Sequence, residues 1–265
     1  MSASVRGRAW FERLTGKARA VAGLPPSVLA ADTSIDGHAV RAIAVVPDPS
    51  ARFERARNGE MGIDEGFGVA AAVNGTPPGS AILAIVDVPG QAFGIREEAV
   101  GLQRALAAST QAYIRARRSG HPVLTLVVGK AISGAFLAHG LQGGWIGALD
   151  DAGIEIHVMS EAAVARVTRM ERDDLTRVAK EIPATARDIR TFATFGGVDR
   201  IFAVSDPNAP SEADIAEVAR ALADVLRTPE IGCRNPRDRL DVPAALQTRA
   251  LARRVREELQ AQWDA

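Results

Sequence analysis

The 265-residue chain carries 32 basic and 32 acidic side chains, so its formal net charge is zero. That balance argues against nucleic acid or an anionic membrane surface as a partner. No run approaches the ~20 apolar residues of a membrane span. Cys233 is the one cysteine, which excludes an internal disulfide and favours a cytoplasmic setting.

The first ten residues are arginine-rich without a long apolar core, so they do not read as a secretory signal. Trp10, Phe11, Leu14 and Val21 lie among basic residues and predict an amphipathic helix from Trp10 to Leu24, stopped by Gly23 to Pro26. Its apolar face packs on its own domain or docks a partner. Ala39 to Val46 predicts a strand ended by Pro47-Asp48-Pro49. The glycine-rich stretch from Asn58 to Gly68 fits neither a P-loop nor a dinucleotide fingerprint. It precedes a helix expected over Val69 to Val73, and its glycines suit either close approach to a ligand or an ordinary turn.

Ala81 to Val86 is continuously apolar, as a strand buried on both faces requires. Asp87 to Gly94 forms a turn in which Pro89, Gly90 and Gly94 set the backbone. A helix from Ile95 to about Arg118 follows, with Ile95, Ala99, Leu102 and Leu106 on its buried face. Glu97 and Glu98 in its first turn and Arg115, Arg117 and Arg118 in its last match the helix dipole.

The centre of the chain runs from Leu124 to Gly140. A β-branched and leucine run predicts a strand, and the small residues Ala131, Ser133, Gly134 and Ala135 open a helix. The first N–H groups of a helix lack internal partners and sit in positive potential, so an oxyanion fits there when no bulky side chain blocks it. Gly134 and Ala135 are therefore the candidate chemical centre, or simply small residues where a helix crosses a strand. Ser133 suits the N-cap. Lys130 either aids an anion or reaches to solvent. His139 either donates a proton or is a hydrogen-bonded core residue, and His157 reads as structural. Four scattered histidines and one cysteine give no metal-ligand pattern.

Beyond the centre, apolar segments at Trp145 to Leu149 and Ile154 to Val158 precede helices expected at Glu161 to Val167, Asp173 to Glu181 and Ala186 to Ala193. Gly197 to Val204 predicts a last strand. Ser211 with Asp214 starts a helix reaching Leu226. Thr228 to Pro236 reads as a loop, and residues 243–262 as a C-terminal amphipathic helix.

Taken together, Asp87-x-Pro89-Gly90-x-x-x-Gly94-x-x-Glu97, the long helix after it, and Lys130-Ala131-x-Ser133-Gly134-Ala135 resemble the carboxyltransferase branch of the crotonase superfamily. Within it, the Arg6 to Trp10 start, Gly129 to Gly140 and Leu149-Asp150-Asp151 are similar to malonate decarboxylase gamma subunits. The resemblance implies an α/β fold, a crotonase-like spiral of repeated β-β-α units. It implies one carboxyltransferase-type domain over residues 1–265, with an N-terminal extension over 1–30. It also implies a beta-subunit partner sharing the active site, an acyl-carrier (delta) subunit with a phosphopantetheine-type arm, and an alpha subunit that recharges the carrier. On that basis a malonyl thioester loses carbon dioxide without a cofactor or metal on this chain. Gly134 and Ala135, with Ser133 and His139, are then the expected catalytic group, and Pro89, Gly90, Gly94 and Lys130 the substrate-binding one.

Three other readings compete. Clp-type serine proteases share the superfamily, and their Gly-x-Ala-Ser-x-Gly-Ala stretch is similar to Gly129 to Ala135, with His157 near the place of the base. Here the serine is one residue out of register. A biotin-dependent carboxyltransferase subunit and a non-catalytic scaffold that completes its partner's pocket are the others.

Overall fold

A computed structural model describes residues 4–159, 161–182 and 185–264. The first helix, α1 (Arg6–Thr15), starts earlier and stops sooner than the apolar spacing predicts. Gly16 takes φ +57°, a conformation glycine adopts without penalty, and turns the chain into strand β1 (Arg19–Ala20). Trp10 and Phe11 are buried, so the apolar face of α1 packs on its own core. Trp10 Nε1 also donates to the Pro207 carbonyl at 3.0 Å.

Strand β2 (Val28–Ile35) pairs antiparallel with β1 and with β3 (His38–Val45). Asp36 and Gly37 both have positive φ, which suits an Asp-Gly hairpin turn. From β3 the sheet becomes parallel: β4 (Ala81–Val88), β5 (Val123–Ile132), β6 (Trp145–Leu149) and β8 (Arg200–Phe202) follow in order. Every residue of β4 is buried, Asp87 included. Strand β5 has two neighbours on one side. Its first half pairs with β6, and its last two residues pair with β7 (Ile156–His157). The strand expected over Gly197 to Val204 shrinks to the three residues of β8.

Helix α2 (Ile63–Asn74) begins inside the glycine-rich stretch, six residues before Val69. A Cβ on Gly66 would lie 2.8 Å from the Ala105 backbone, and one on Gly68 would lie 2.9 Å from Pro25. These glycines therefore serve close packing within the fold, which decides against ligand approach there. The long helix expected from Ile95 is broken into α3 (Ile95–Val100) and α4 (Leu102–Arg118). Gly101 at φ +109° redirects the chain, so Leu102 is buried while Ile95 is 92% exposed and Ala99 is exposed as well.

Helix α5 (Ser133–Ala138) follows β5 directly. Helices α6 (Glu161–Thr168), α7 (Arg172–Glu181) and α8 (Ile189–Ala193) come next. The last is shorter than expected because the Asp188 carboxylate caps it, accepting from Thr191 N–H at 2.8 Å. Helix α9 (Glu212–Leu226) has the expected cap, and Asp214 also binds Ser205. Together those hydrogen bonds hold the Asp214 carboxyl down to about 2. Part of the loop expected after it forms α10 (Pro229–Cys233), with Pro229 in its first turn. The C-terminal helix divides at Arg249 into α11 (Pro243–Thr248) and α12 (Ala250–Trp263), and α12 buries none of its residues. Among the described residues no helix is long and apolar enough to cross a membrane.

Candidate active site at the end of the central strand

The site grows from the way β5 ends. The strand is buried through Gly129, after which Lys130, Ile132, Ser133 and Gly134 are half-buried while Ala131 and Ala135 stay inside. Asp87, at the end of β4, fixes this junction. Its Oδ1 accepts from Lys130 N–H and its Oδ2 from Gly7 N–H, both at 3.1 Å. A Cβ on Gly129 would lie 2.1 Å from that Oδ1, so the close approach requires glycine.

Ser133 has φ +61°, a left-handed conformation that costs a non-glycine residue energy and persists only where its surroundings enforce it. It is the first helical residue and not the N-cap; Ile132 takes that place, and no side chain among the described residues caps the helix. The serine is used differently. Its Oγ donates to Gln91 Oε1 at 3.2 Å, and Gly134 N–H donates to the same oxygen at 2.8 Å. Two donors thus converge on one carbonyl oxygen. A Cβ on Gly134 would lie 2.3 Å from it, so only glycine admits an acceptor there.

Gln91 was not singled out in the sequence, although it sits at a variable position inside the quoted turn motif. The turn residues place it. Gly90, at φ +147°, gives its carbonyl to Met61 N–H at 2.9 Å, and Ala92 N–H donates to Met61 O at 2.9 Å. Gly94 precedes α3, where a Cβ would lie 2.3 Å from Glu97 Oε2. Pro89, Gly90 and Gly94 therefore shape the loop that carries Gln91 to the junction.

On the other flank, β7 brings Glu155 and His157 to β5. Lys130 Nζ lies 3.7 Å from Glu155 Oε1, and His157 Nε2 lies 3.1 Å from Glu155 Oε2. Ser133 and His157 are thus committed to different partners, and the structure does not join them as a nucleophile and base. His139 lies elsewhere. It is wholly buried, with Nδ1 2.9 Å from the Tyr113 hydroxyl and Nε2 3.4 Å from the Ile85 carbonyl. Burial, opposed only by the Ile85 hydrogen bond, lowers its pKa to about 4. Burial likewise pushes the Tyr113 hydroxyl far up, so the pair is neutral. Among the described residues no cluster of three His, Cys, Asp or Glu could hold a metal ion.

Exposed apolar side chains accompany the site on the segments that flank it. Phe93 and Ile95 follow Gln91, Leu137 lies on α5, and Val158 and Met159 follow His157.

The whole chain is similar to solved and characterised proteins. The chain is 44% identical to a chain of a Pseudomonas malonate decarboxylase hetero-tetramer in complex with coenzyme A, with a TM-score of 0.88 over 97% of this chain and 99% of that one. Against the Pseudomonas MdcD–MdcE hetero-dimer the values are 42%, 0.83, 97% and 99%. It is also 36% identical over 160 residues to a malonyl-S-ACP:biotin-protein carboxyltransferase, MADD, of Malonomonas rubra, a match covering 57% of this chain and 55% of that protein. The transcarboxylase 12S core is similar at 23% identity and a TM-score of 0.64, which supports the α/β carboxyltransferase fold alone. The sequence model for the malonate decarboxylase gamma subunit matches residues 56–263, and the chain belongs to that family.

Proposed function

We propose that this chain works with a beta subunit to decarboxylate a malonyl thioester, the site lying between the two. The observation that carries this reading is the pair of donors, Gly134 N–H and Ser133 Oγ, meeting on one carbonyl oxygen beside Lys130. A carboxylate oxygen of substrate would replace Gln91 Oε1 there. Gly134, with Ala135 behind it, then holds the departing carboxylate or carbon dioxide, and Lys130 supplies positive charge. Loss of carbon dioxide leaves an enolate whose oxygen needs preorganised donors, which the partner supplies. A proton then closes the carbanion carbon. His139 is a core residue in this scheme, tying α5 to α4 and β4.

The thioester is carried on the phosphopantetheine-type arm of an acyl-carrier subunit, which an alpha subunit recharges in the cytoplasm. Both Pseudomonas structures support a partner, since each is a hetero-oligomer. The test is reconstitution: the chain alone is inactive, and it gains turnover with a beta-type subunit. Full turnover by the purified chain alone would defeat the reading. The relationship to MADD favours a second one, carboxyl transfer to a biotin protein. Avidin separates them, because it leaves direct decarboxylation intact and stops transfer to biotin.

A further inference from the structure

Glu155 is held from two sides with unequal grip. His157 Nε2 is within hydrogen-bonding distance at 3.1 Å, whereas Lys130 Nζ at 3.7 Å makes only an ion pair. The His157 side chain is 8% exposed, and among the described residues its buried Nδ1 makes no well-formed hydrogen bond. The nearby Met159 carbonyl exerts only a slight pull on a proton there. Glu155 is therefore the ring's firm polar hold among the described residues.

Burial by itself would raise the Glu155 carboxyl, but the His157 hydrogen bond, then Lys130, then the charges of His157 and Arg187 bring it below its ordinary value. Burial lowers His157, and Arg187 adds to this against the pull of Glu155. At neutral pH Glu155 is thus a carboxylate and His157 an uncharged N–H donor.

Strand register places the trio beside the site. Ala131 pairs with Ile156 and Ile132 with His157, and both Ala131 and Ile156 point into the core. Lys130, Ile132 and His157 alternate onto the other, partly open face, with Ser133 and Gly134 next along the chain.

We propose that Lys130 anchors the free carboxylate of an acyl thioester, that Glu155 fills this subsite when it is empty, and that His157 keeps Glu155 paired when substrate takes the lysine. Stripping a half-buried carboxylate of every partner is costly. The hydrogen bond from His157 removes that cost, so the longer contact to Lys130 is free to exchange one carboxylate for another. The inference rests on the malonyl-thioester reading above and names the groups that recognise its carboxylate.

The test uses the complex of this chain with its beta-type partner, with malonyl-pantetheine and acetyl-pantetheine as probes. Lys130→Met raises KM for malonyl-pantetheine ~10-fold or more, the scale of a lost charge-assisted contact, and leaves the inhibition constant of acetyl-pantetheine unchanged. An equal rise for both probes would overturn the subsite. His157→Phe removes the second hold, so Glu155 closes on Lys130 and KM for the malonyl probe rises severalfold. Adding Glu155→Gln to that variant restores the wild-type KM, whereas a KM that stays high overturns the exchange. His157→Gln keeps an N–H donor and guards against misfolding, since it retains a near-normal KM; a KM as high as that of the Phe variant would count against the role of His157. If the wild-type complex binds malonyl-pantetheine without decarboxylating it, the proposed reaction fails. The dissociation constants of the two probes then judge the subsite in the same variants.

Discussion

Two histidines follow β5 in the chain, and their surroundings make them different residues. His139 is sealed, faces an uncharged hydroxyl and a backbone carbonyl, and is held neutral. His157 stands on the partly open face, bonded to a carboxylate that also meets a lysine. The first arrangement fastens elements together, because Tyr113 belongs to α4, Ile85 to β4 and His139 follows α5. The second gathers charge that a ligand is able to displace. A histidine near a candidate site thus takes its role from the partners of its ring nitrogens, and sequence distance from the site is a poor guide.

The largest effect should come from titrating the sealed side. Folded His139 has a pKa of about 4 against 6.5 for the free group, so the unfolded chain binds a proton first as pH falls. Stability from this residue is complete above pH 6.5 and is lost as pH falls toward 4. The difference amounts to about 3 kcal/mol. Denaturant unfolding at pH 7 and pH 4.5, compared between wild type and His139→Phe, isolates the contribution. An identical pH slope in both proteins would place His139 outside the sealed class.

On the open side, Gly134→Val should lower turnover of the complex by about 10²-fold, the scale of losing one oxyanion donor. The added Cβ would lie 2.3 Å from the oxygen now held there. Near-normal kcat in an intact complex would remove Gly134 from the chemistry. Tyr113→Phe tests the sealed side again and more mildly. It leaves His139 Nδ1 buried without its donor, costing about 2 kcal/mol of stability. Turnover per folded complex stays normal, and a change in kcat without a change in melting temperature would blur the contrast.

The two sides also differed in how far they could be read from the sequence. The central strand, the small residues after it and the cap of α9 were legible because each leaves a local signature: an apolar run, a glycine, a Ser-x-x-Asp spacing. The hairpin strand β2 escaped although Asp36-Gly37 marks its turn, since its apolar residues do not alternate cleanly. Gln91 and Glu155 left no signal because their roles arise only when β4 and β7 bring distant turns against β5. His139 remained open for the same reason: its burial depends on Tyr113 and Ile85, far away in the chain. The break at Gly101 was hidden because the apolar steps continue through it, and only the positive φ reveals the turn.

Ser133 gives the smallest expected effect and separates lyase from hydrolase. Its hydroxyl is the weaker of the two donors to Gln91 Oε1, at 3.2 Å against 2.8 Å for Gly134 N–H. Losing one neutral hydrogen bond of this kind is worth ~1 kcal/mol, so Ser133→Ala should lower turnover about fivefold and leave the Gly134 donor in place. The positive φ bears on the choice of variant, since alanine tolerates that conformation no better than serine while glycine relieves it. Ser133→Gly should therefore match the alanine variant in turnover and exceed it slightly in stability. A nucleophile would behave otherwise. Loss of its hydroxyl is crippling, and an activated serine reacts with a fluorophosphonate. With Oγ turned to a neutral amide and His157 bonded to Glu155, no base among the described residues faces the hydroxyl. We expect no labelling of the wild-type complex; stoichiometric labelling at Ser133, abolished by His157→Phe, would move the chain's chemistry from decarboxylation to hydrolysis.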